Sequence, residues 1–181
     1  MSNRPVAFHQ FTAADQLAPS VRRTLATCWV EVTNAGGAAG FPFPPIALPQ
    51  AADAVEALVG TLAPETSRIL TATNAQGDLT GWLNIRRDPY RLIAHWGQLH
   101  HLQTRPSVRG QGYGSALLDE ARRVAREDMG LEQLHLAARG GEGLEAFYVR
   151  HGWKETGRWP GALRLAPDDV RDEVLMVLDP L

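Results

Sequence analysis

The stretch Val108-Arg109-Gly110-Gln111-Gly112-Tyr113-Gly114-Ser115 constrains this chain more than any other. Before it, His95 to Thr104 reads as a strand. After it, Tyr113, Leu117, Leu118, Ala121, Val124 and Ala125 fall on one helical face that runs to about Asp128. The glycines between strand and helix remove side chains, so successive amides can point into one concavity. The positive end of the helix is directed at the same place. Such an entrance suits the phosphate of a ligand.

The remaining elements follow from period and punctuation. Val6 to Phe11 alternates weakly and is predicted as a first strand. From Asp15, the positions Leu17, Val21, Leu25, Cys28, Trp29 and Val32 predict an amphipathic helix, ended by Asn34-Ala35-Gly36-Gly37. The apolar, proline-rich NAGGAAGFPFPPIALP then predicts an irregular segment, and Ala51 to Leu62 a second helix. Arg68–Thr73 and Leu79–Arg87 read as strands joined by a turn at 74–78. Gln133–Ala137 is a strand, and Leu144–Arg150 a short helix closed by Gly152. Trp153–Thr156 and Glu173–Leu178 close the chain as strands, with Trp159–Asp169 expected as a loop between them. This order predicts a mixed sheet with helices on both faces, an α/β (α+β) fold in one domain spanning 1–181.

Composition removes several functions. A net charge of −2 argues against nucleic acid, because backbone binding needs a basic surface. Arg122, Arg123 and Arg126 alternate with Asp119, Glu120 and Glu127, as on a solvated helix face. The apolar runs are too short for a bilayer, and MSNRPVAFHQ lacks the apolar centre of a secretion signal. The one cysteine, Cys28, excludes an internal disulfide and sits on an apolar helix face, as buried filler does. Six histidines are scattered without zinc spacing, so no metal is expected. A cytoplasmic protein, monomer or homodimer, fits these features.

Three phosphate loops compete for the glycine stretch. A P-loop needs Lys then Ser or Thr after its last glycine, and Gly114 is followed by Ser115-Ala116. The dinucleotide fingerprint needs a third glycine where Ser115 stands, and an early position in its domain. The third pattern, Arg-x-x-Gly-x-Gly, is met by Arg109, Gly112 and Gly114. In its setting, LHHLQTRPSVRGQGYG, it resembles the pyrophosphate loop of the GNAT superfamily of acyl-CoA-dependent N-acetyltransferases. Phe147-Tyr148, Gly152 and Trp153 in AFYVRHGW match a second family feature, and the element order matches across nearly the whole chain. NAGGAAGF, LHLAARGGEGLEAFY and WPG are more loosely similar to tabtoxin-resistance-type acetyltransferases.

The resemblance implies a GNAT fold: a mixed, mostly antiparallel sheet of about six to seven strands flanked by about four helices. It implies acetyl-CoA as co-substrate, with the backbone of Leu102, Gln103 and Thr104 pairing with the pantetheine arm. Arg109, Gly110, Gln111, Gly112, Tyr113, Gly114 and Ser115 would hold the pyrophosphate. Tyr148 becomes the candidate acid for the leaving thiolate, since a phenol is protonated at neutral pH. Where relatives carry acidic residues, this chain has Gln98 and Ala137, so the base cannot be carried over. His100 and His101 are candidates because imidazole titrates near neutrality, and His95 is a third. Strand alternation puts His100 and His101 on opposite faces, so at most one of them would face the acceptor. Trp29, Phe41, Phe43 and Trp82 are candidates for an aromatic acceptor wall, and Asp168 and Asp169 for attracting a cation. The expected reaction is acetyl transfer to a primary amine of a small molecule, such as an antibiotic, an amino acid or a polyamine-like compound. The alternatives are acetylation of a protein lysine or N-terminus, and non-catalytic acyl-CoA binding.

Overall fold

A computed structural model of the chain describes residues 6–37 and 40–181. Among these residues the chain forms seven strands and four α-helices in the order β1 (Ala7–Phe11), α1 (Pro19–Asn34), α2 (Leu48–Val59), β2 (Ser67–Thr73), β3 (Leu79–Arg87), β4 (Trp96–Thr104), α3 (Tyr113–Arg123), β5 (Gln133–Arg139), α4 (Leu144–Arg150), β6 (Lys154–Ala166) and β7 (Asp169–Leu178). They build one sheet in the order β1-β2-β3-β4-β5-β7-β6. β4 and β5 run parallel, and every other neighbouring pair is antiparallel. The α/β architecture with helices on both faces is the one the element order predicted.

Several boundaries move for local reasons. The first helix starts at Pro19 rather than Asp15. Ala18 precedes a proline and is driven to an extended ψ of 151°, which leaves Ala14–Gln16 as a separate 3-10 turn. The second helix starts at Leu48 and stops at Val59, earlier at both ends than expected, because Pro49 fits a first helical turn. After Arg123 the third helix widens into a π turn over Val124–Asp128, so it reaches the expected end with a different winding.

The largest correction concerns Trp159–Asp169, expected as a loop. It is mostly strand, since β6 continues to Ala166 and pairs with β7 as a long hairpin turning at Pro167-Asp168. Pro160 and Gly161 suggested a loop, but β6 is an edge strand where a missing N–H is tolerated. Three register shifts along the hairpin absorb the irregularity.

Alternation along the strands sorts the apolar residues into two cores. Leu70, Leu83 and Ile85 join Leu117, Leu118 and Tyr148 beneath α3 and α4. Ile69 and Trp82, one residue out of step, join Leu25, Cys28, Trp29 and Val55 beneath α1 and α2. The proline-rich segment is tied back by Asn34, whose side chain donates to Ile46 O at 3.0 Å and accepts from Ile46 N–H at 2.8 Å. Of that segment, Ala38 and Ala39 lie outside the described residues.

Two features of the sheet prepare an opening at its centre. β4 and β5 pair only at Trp96–Gln133, Gly97–Leu134 and Gln98–His135, and then part. On its other side, β4 pairs His100 with Asn84 and Gln103 with Trp82, so His101 and Leu102 together oppose Leu83. This is a β-bulge, and His101 takes a φ of 56° within it. The close approach beside the bulge depends on Gly81: a Cβ there would lie 2.5 Å from Gln103 O and 3.0 Å from Leu117 Cδ1. Gly81→Ala is therefore expected to destabilise the fold by about 1–3 kcal/mol, read from urea denaturation.

Candidate active site

Where β4 leaves β5, a cavity of about 640 Å³ opens. Its floor includes Leu99–Leu102 of β4 and Leu136–Arg139 of β5. Tyr148 of α4 borders it, and Gly40–Pro42 and Leu163–Leu165 cover other sides. The cover is stitched together by Phe43 N–H, which donates to Leu165 O at 2.9 Å. Arg139 reaches from β5 to the end of α1, donating to Gly36 O and Gly37 O, each at 3.4 Å.

The bulge overturns the alternation expected for the two histidines. Because β4 spends two residues opposite Leu83, His100 and His101 lie on the same face, with ring centroids 5.9 Å apart, and both line the cavity. His101 packs 4.7 Å from the Trp29 ring and 6.1 Å from that of Trp82. His100 is placed by a 3.1 Å hydrogen bond between Nε2 and Gln98 Oε1. Burial first, then the nearby Arg86 charge, pushes His100 down to about 4. Burial also leads for His101, followed by His100 and Arg86, again to about 4. Both rings are neutral at pH 7 and able to accept a proton. His95 is exposed and does not border the cavity.

Tyr148 is 8% exposed, and its ring meets those of Phe147 and Trp153 edge-on. Burial raises its phenol above the ordinary tyrosine range, so the hydroxyl keeps its proton at physiological pH. A protonated phenol and two neutral imidazoles therefore surround one cavity, with burial moving each away from the neutral range in which proton transfer is most efficient.

The glycine stretch has the geometry of a turn feeding a helix N-terminus. Gly110 and Gly112 have φ of 74° and 90°, and a Cβ at either would meet nothing within 4 Å. Gly112 caps α3 without a side chain, and Tyr113 and Gly114 open its first turn, whose amides have no intrahelical acceptor. The open space and free amides fit a pyrophosphate. Gln111 Nε2 donates to Ser107 O at 3.4 Å within the turn, and the Tyr113 ring is buried. Ser115 Oγ is 2.9 Å from Nε2 of His151, the residue that caps the end of α4. Arg109 leans toward the end of α1: a Cβ on Gly37 would lie 3.1 Å from its Nη2. Beyond Gln98, the edge of β4 that carries Leu102, Gln103 and Thr104 has no strand partner on the β5 side. The Gln103 side chain is buried, with both amide atoms unpartnered among the described residues.

The aromatic candidates divide. Phe41 borders the cavity, whereas Trp29 and Trp82 stand behind His101 in the core and Phe43 is 54% exposed outside the lining. Trp29 meets Phe41 at 5.0 Å and Trp82 at 5.1 Å, so the pair backs the wall instead of forming it. Asp169 is ion-paired with Arg171, and neither it nor Asp168 lines the cavity. Cys28 is fully buried, and burial pushes its thiol up to about 12, which excludes a thiolate nucleophile. Arg139 and Glu173 line the cavity without any sequence signal, while Trp159 lines it from the segment whose sequence left open both a loop closing the far side of the acceptor site and a solvated loop. Their facing follows from the β5–β7–β6 register, which no local pattern announces.

The acetyltransferase (GNAT) family model matches residues 20–153. The chain belongs to this family. It is thus an acyl-CoA-dependent acetyltransferase, a class that uses acetyl-CoA. No curated protein sequence matches the chain. Among solved structures, a GNAT-family acetyltransferase from Desulfovibrio desulfuricans is 21% identical with a TM-score of 0.72, covering 97% of this chain and 99% of its own. A phosphinothricin N-acetyltransferase is 19% identical with a TM-score of 0.75, over 96% and 98%. Spermidine N-acetyltransferase from Vibrio cholerae, in complex with CoA and spermine, is 12% identical with a TM-score of 0.74, over 97% and 95%. At these identities the likeness is one of fold.

The histidine environment has a measurable consequence. Folded pKa values near 4 lie below the ordinary 6.5, so the unfolded chain binds more protons between those pH values. The stabilisation from keeping both rings neutral is complete above pH 6.5 and is lost as pH falls toward 4. The melting temperature is expected to drop across that window, and the drop to shrink in the His100→Gln/His101→Gln double variant.

Proposed function

We propose that this enzyme transfers the acetyl group of acetyl-CoA directly to a primary amine of a small molecule. The observation that carries the reading is the cavity at the β4–β5 opening. Its roughly 640 Å³ falls within the range of about 300–1,000 Å³ usual for small-molecule sites. A wall of hairpin and loop covers it, where a protein substrate would need an open groove. The family resemblance and the neutral imidazoles support transfer over passive acyl-CoA binding.

In this reading the free edge of β4 at Leu102–Thr104 pairs with the pantetheine arm, and the amides from Gly110 to Ser115 hold the pyrophosphate. The acceptor ammonium gives one proton to solvent, and His100 or His101 takes a second, directly or through water, as the C–N bond forms. The amine nitrogen attacks the thioester carbonyl, the new C–N bond forms, and the C–S bond breaks. Tyr148 gives its proton to the departing sulfur, and the imidazolium proton returns to the phenolate through solvent. No acyl-enzyme forms. The proposal places the whole chain, 1–181, in one cytoplasmic domain that needs neither metal nor nucleic acid. Among the described residues no helix is long and apolar enough to cross a membrane.

The direct test is thiol release from acetyl-CoA across a panel of amines, amino acids, antibiotics and lysine peptides. Turnover on small amines is expected; turnover confined to peptides overturns the acceptor class. Tyr148→Phe is expected to lower kcat by about 10²–10⁴-fold with acetyl-CoA affinity nearly intact. Unchanged kcat makes Tyr148 a packing residue. Gly112→Trp is expected to abolish binding to immobilised CoA while costing about 1–2 kcal/mol in stability for a side chain at positive φ. Retained CoA affinity removes the glycine turn from the donor site.

A further inference from the structure

One wall of the cavity carries a charge that the transfer chemistry leaves unused. Val174, Met176 and Leu178 of β7 face the core beneath α3 and α4, so Glu173 and Leu175 face the other way; Glu173, Leu175 and Met176 all border the cavity. The register sets Glu173 opposite Arg139 of β5 on one side and Trp159 of β6 on the other. Opposed residues of antiparallel strands share a face, and all three residues line the cavity.

Neither arginine in the lining is ion-paired with Glu173. Arg139 is drawn to the carbonyls of Gly36 and Gly37, and the charges acting on it are those of Glu142, Asp169 and Arg171. Arg164, also in the lining, donates to Pro167 O at 3.1 Å. No hydrogen bond or ion pair joins the Glu173 side chain to another described residue. Among the described residues this carboxylate has no ion-pair partner and stands beside an indole, and both groups attract cations.

We infer that Glu173 and Trp159 form a subsite for a second cationic group of the acceptor, which makes the preferred substrate a diamine or longer polyamine. The inference rests on the acetyltransferase reading above. The attacked nitrogen must lose its charge beside His100, His101 and Tyr148, and a carboxylate in contact with it would hold it protonated. Glu173 stands on β7, separated from the β4–β5 opening by β5, which suits a group that stays charged. The acceptor then spans the cavity, its neutral amine at the β4–β5 opening and its ammonium on Glu173.

The test compares 1,4-diaminobutane, butylamine and β-alanine as acceptors in thiol release. The wild-type enzyme is expected to favour the diamine over butylamine by at least about tenfold in kcat/KM. Glu173→Gln is expected to collapse that ratio to near one through the KM for the diamine, and Glu173→Asp to restore part of it. An unchanged ratio in Glu173→Gln, or a wild-type preference for β-alanine, overturns the inference. If no amine supports thiol release, the transfer reading fails separately. Tryptophan fluorescence of the CoA-saturated protein titrated with 1,4-diaminobutane then decides. Binding lost in Glu173→Gln supports the subsite; absent or unaltered binding overturns it.

Discussion

Everything at the centre of this molecule depends on one strand failing to stay paired. β4 stays paired with β3 along its length apart from one bulge, yet it keeps β5 for only three residue pairs before the two diverge. A continuous sheet would satisfy more backbone groups and leave no room between its strands. The separation instead leaves backbone donors and acceptors on an open edge, a cost that persists only where something else pairs with them. In an acyl-CoA-dependent transferase the amide-rich arm of the co-substrate is suited to that edge. The bulge at His101-Leu102 belongs to the same arrangement, since it turns Leu102 back toward the core while aiming two imidazoles into the opening.

The parts of the site are held by different kinds of force. The histidines are placed by packing, His101 against Trp29 and Trp82. Burial then sets their protonation, outweighing the positive charge of Arg86 as a cause. Tyr148 is placed in the same way from the other face, so the phenol and the imidazoles reach the cavity from opposite layers of the fold. Ser115 and His151 join the start of α3 to the end of α4, linking the glycine turn to the helix that carries Tyr148. The glycine turn is thus built from backbone, and the histidine–tyrosine cavity from side chains locked by aromatic neighbours.

This division explains what could be read from the sequence. The glycine turn was legible because its residue types stand at fixed local spacing, and Gly110 and Gly112 take the positive φ that favours glycine. Tyr148 was legible from its distance to Gly152 and Trp153. The shared face of His100 and His101 was not, because a bulge is a property of two strands and appears only once β3 and β4 are in register. Glu173 was hidden for the same reason: its meaning comes from Trp159, fourteen positions earlier in sequence and opposite it across the hairpin. Pro160 and Gly161 misled locally, since the same residues that break a central strand are accepted at an edge.

That edge has its own importance. An exposed strand with unpaired amides is a template on which another chain can add, and β6 occupies the last position of the sheet. Its pairing with β7 is broken at three places, it carries Pro160, and Gly161 turns the backbone to a φ of 63°. A neighbouring chain meeting this border finds no straight run of amides to extend. The distortions that shape the outer wall of the acceptor cavity therefore also guard the sheet against edge-to-edge aggregation.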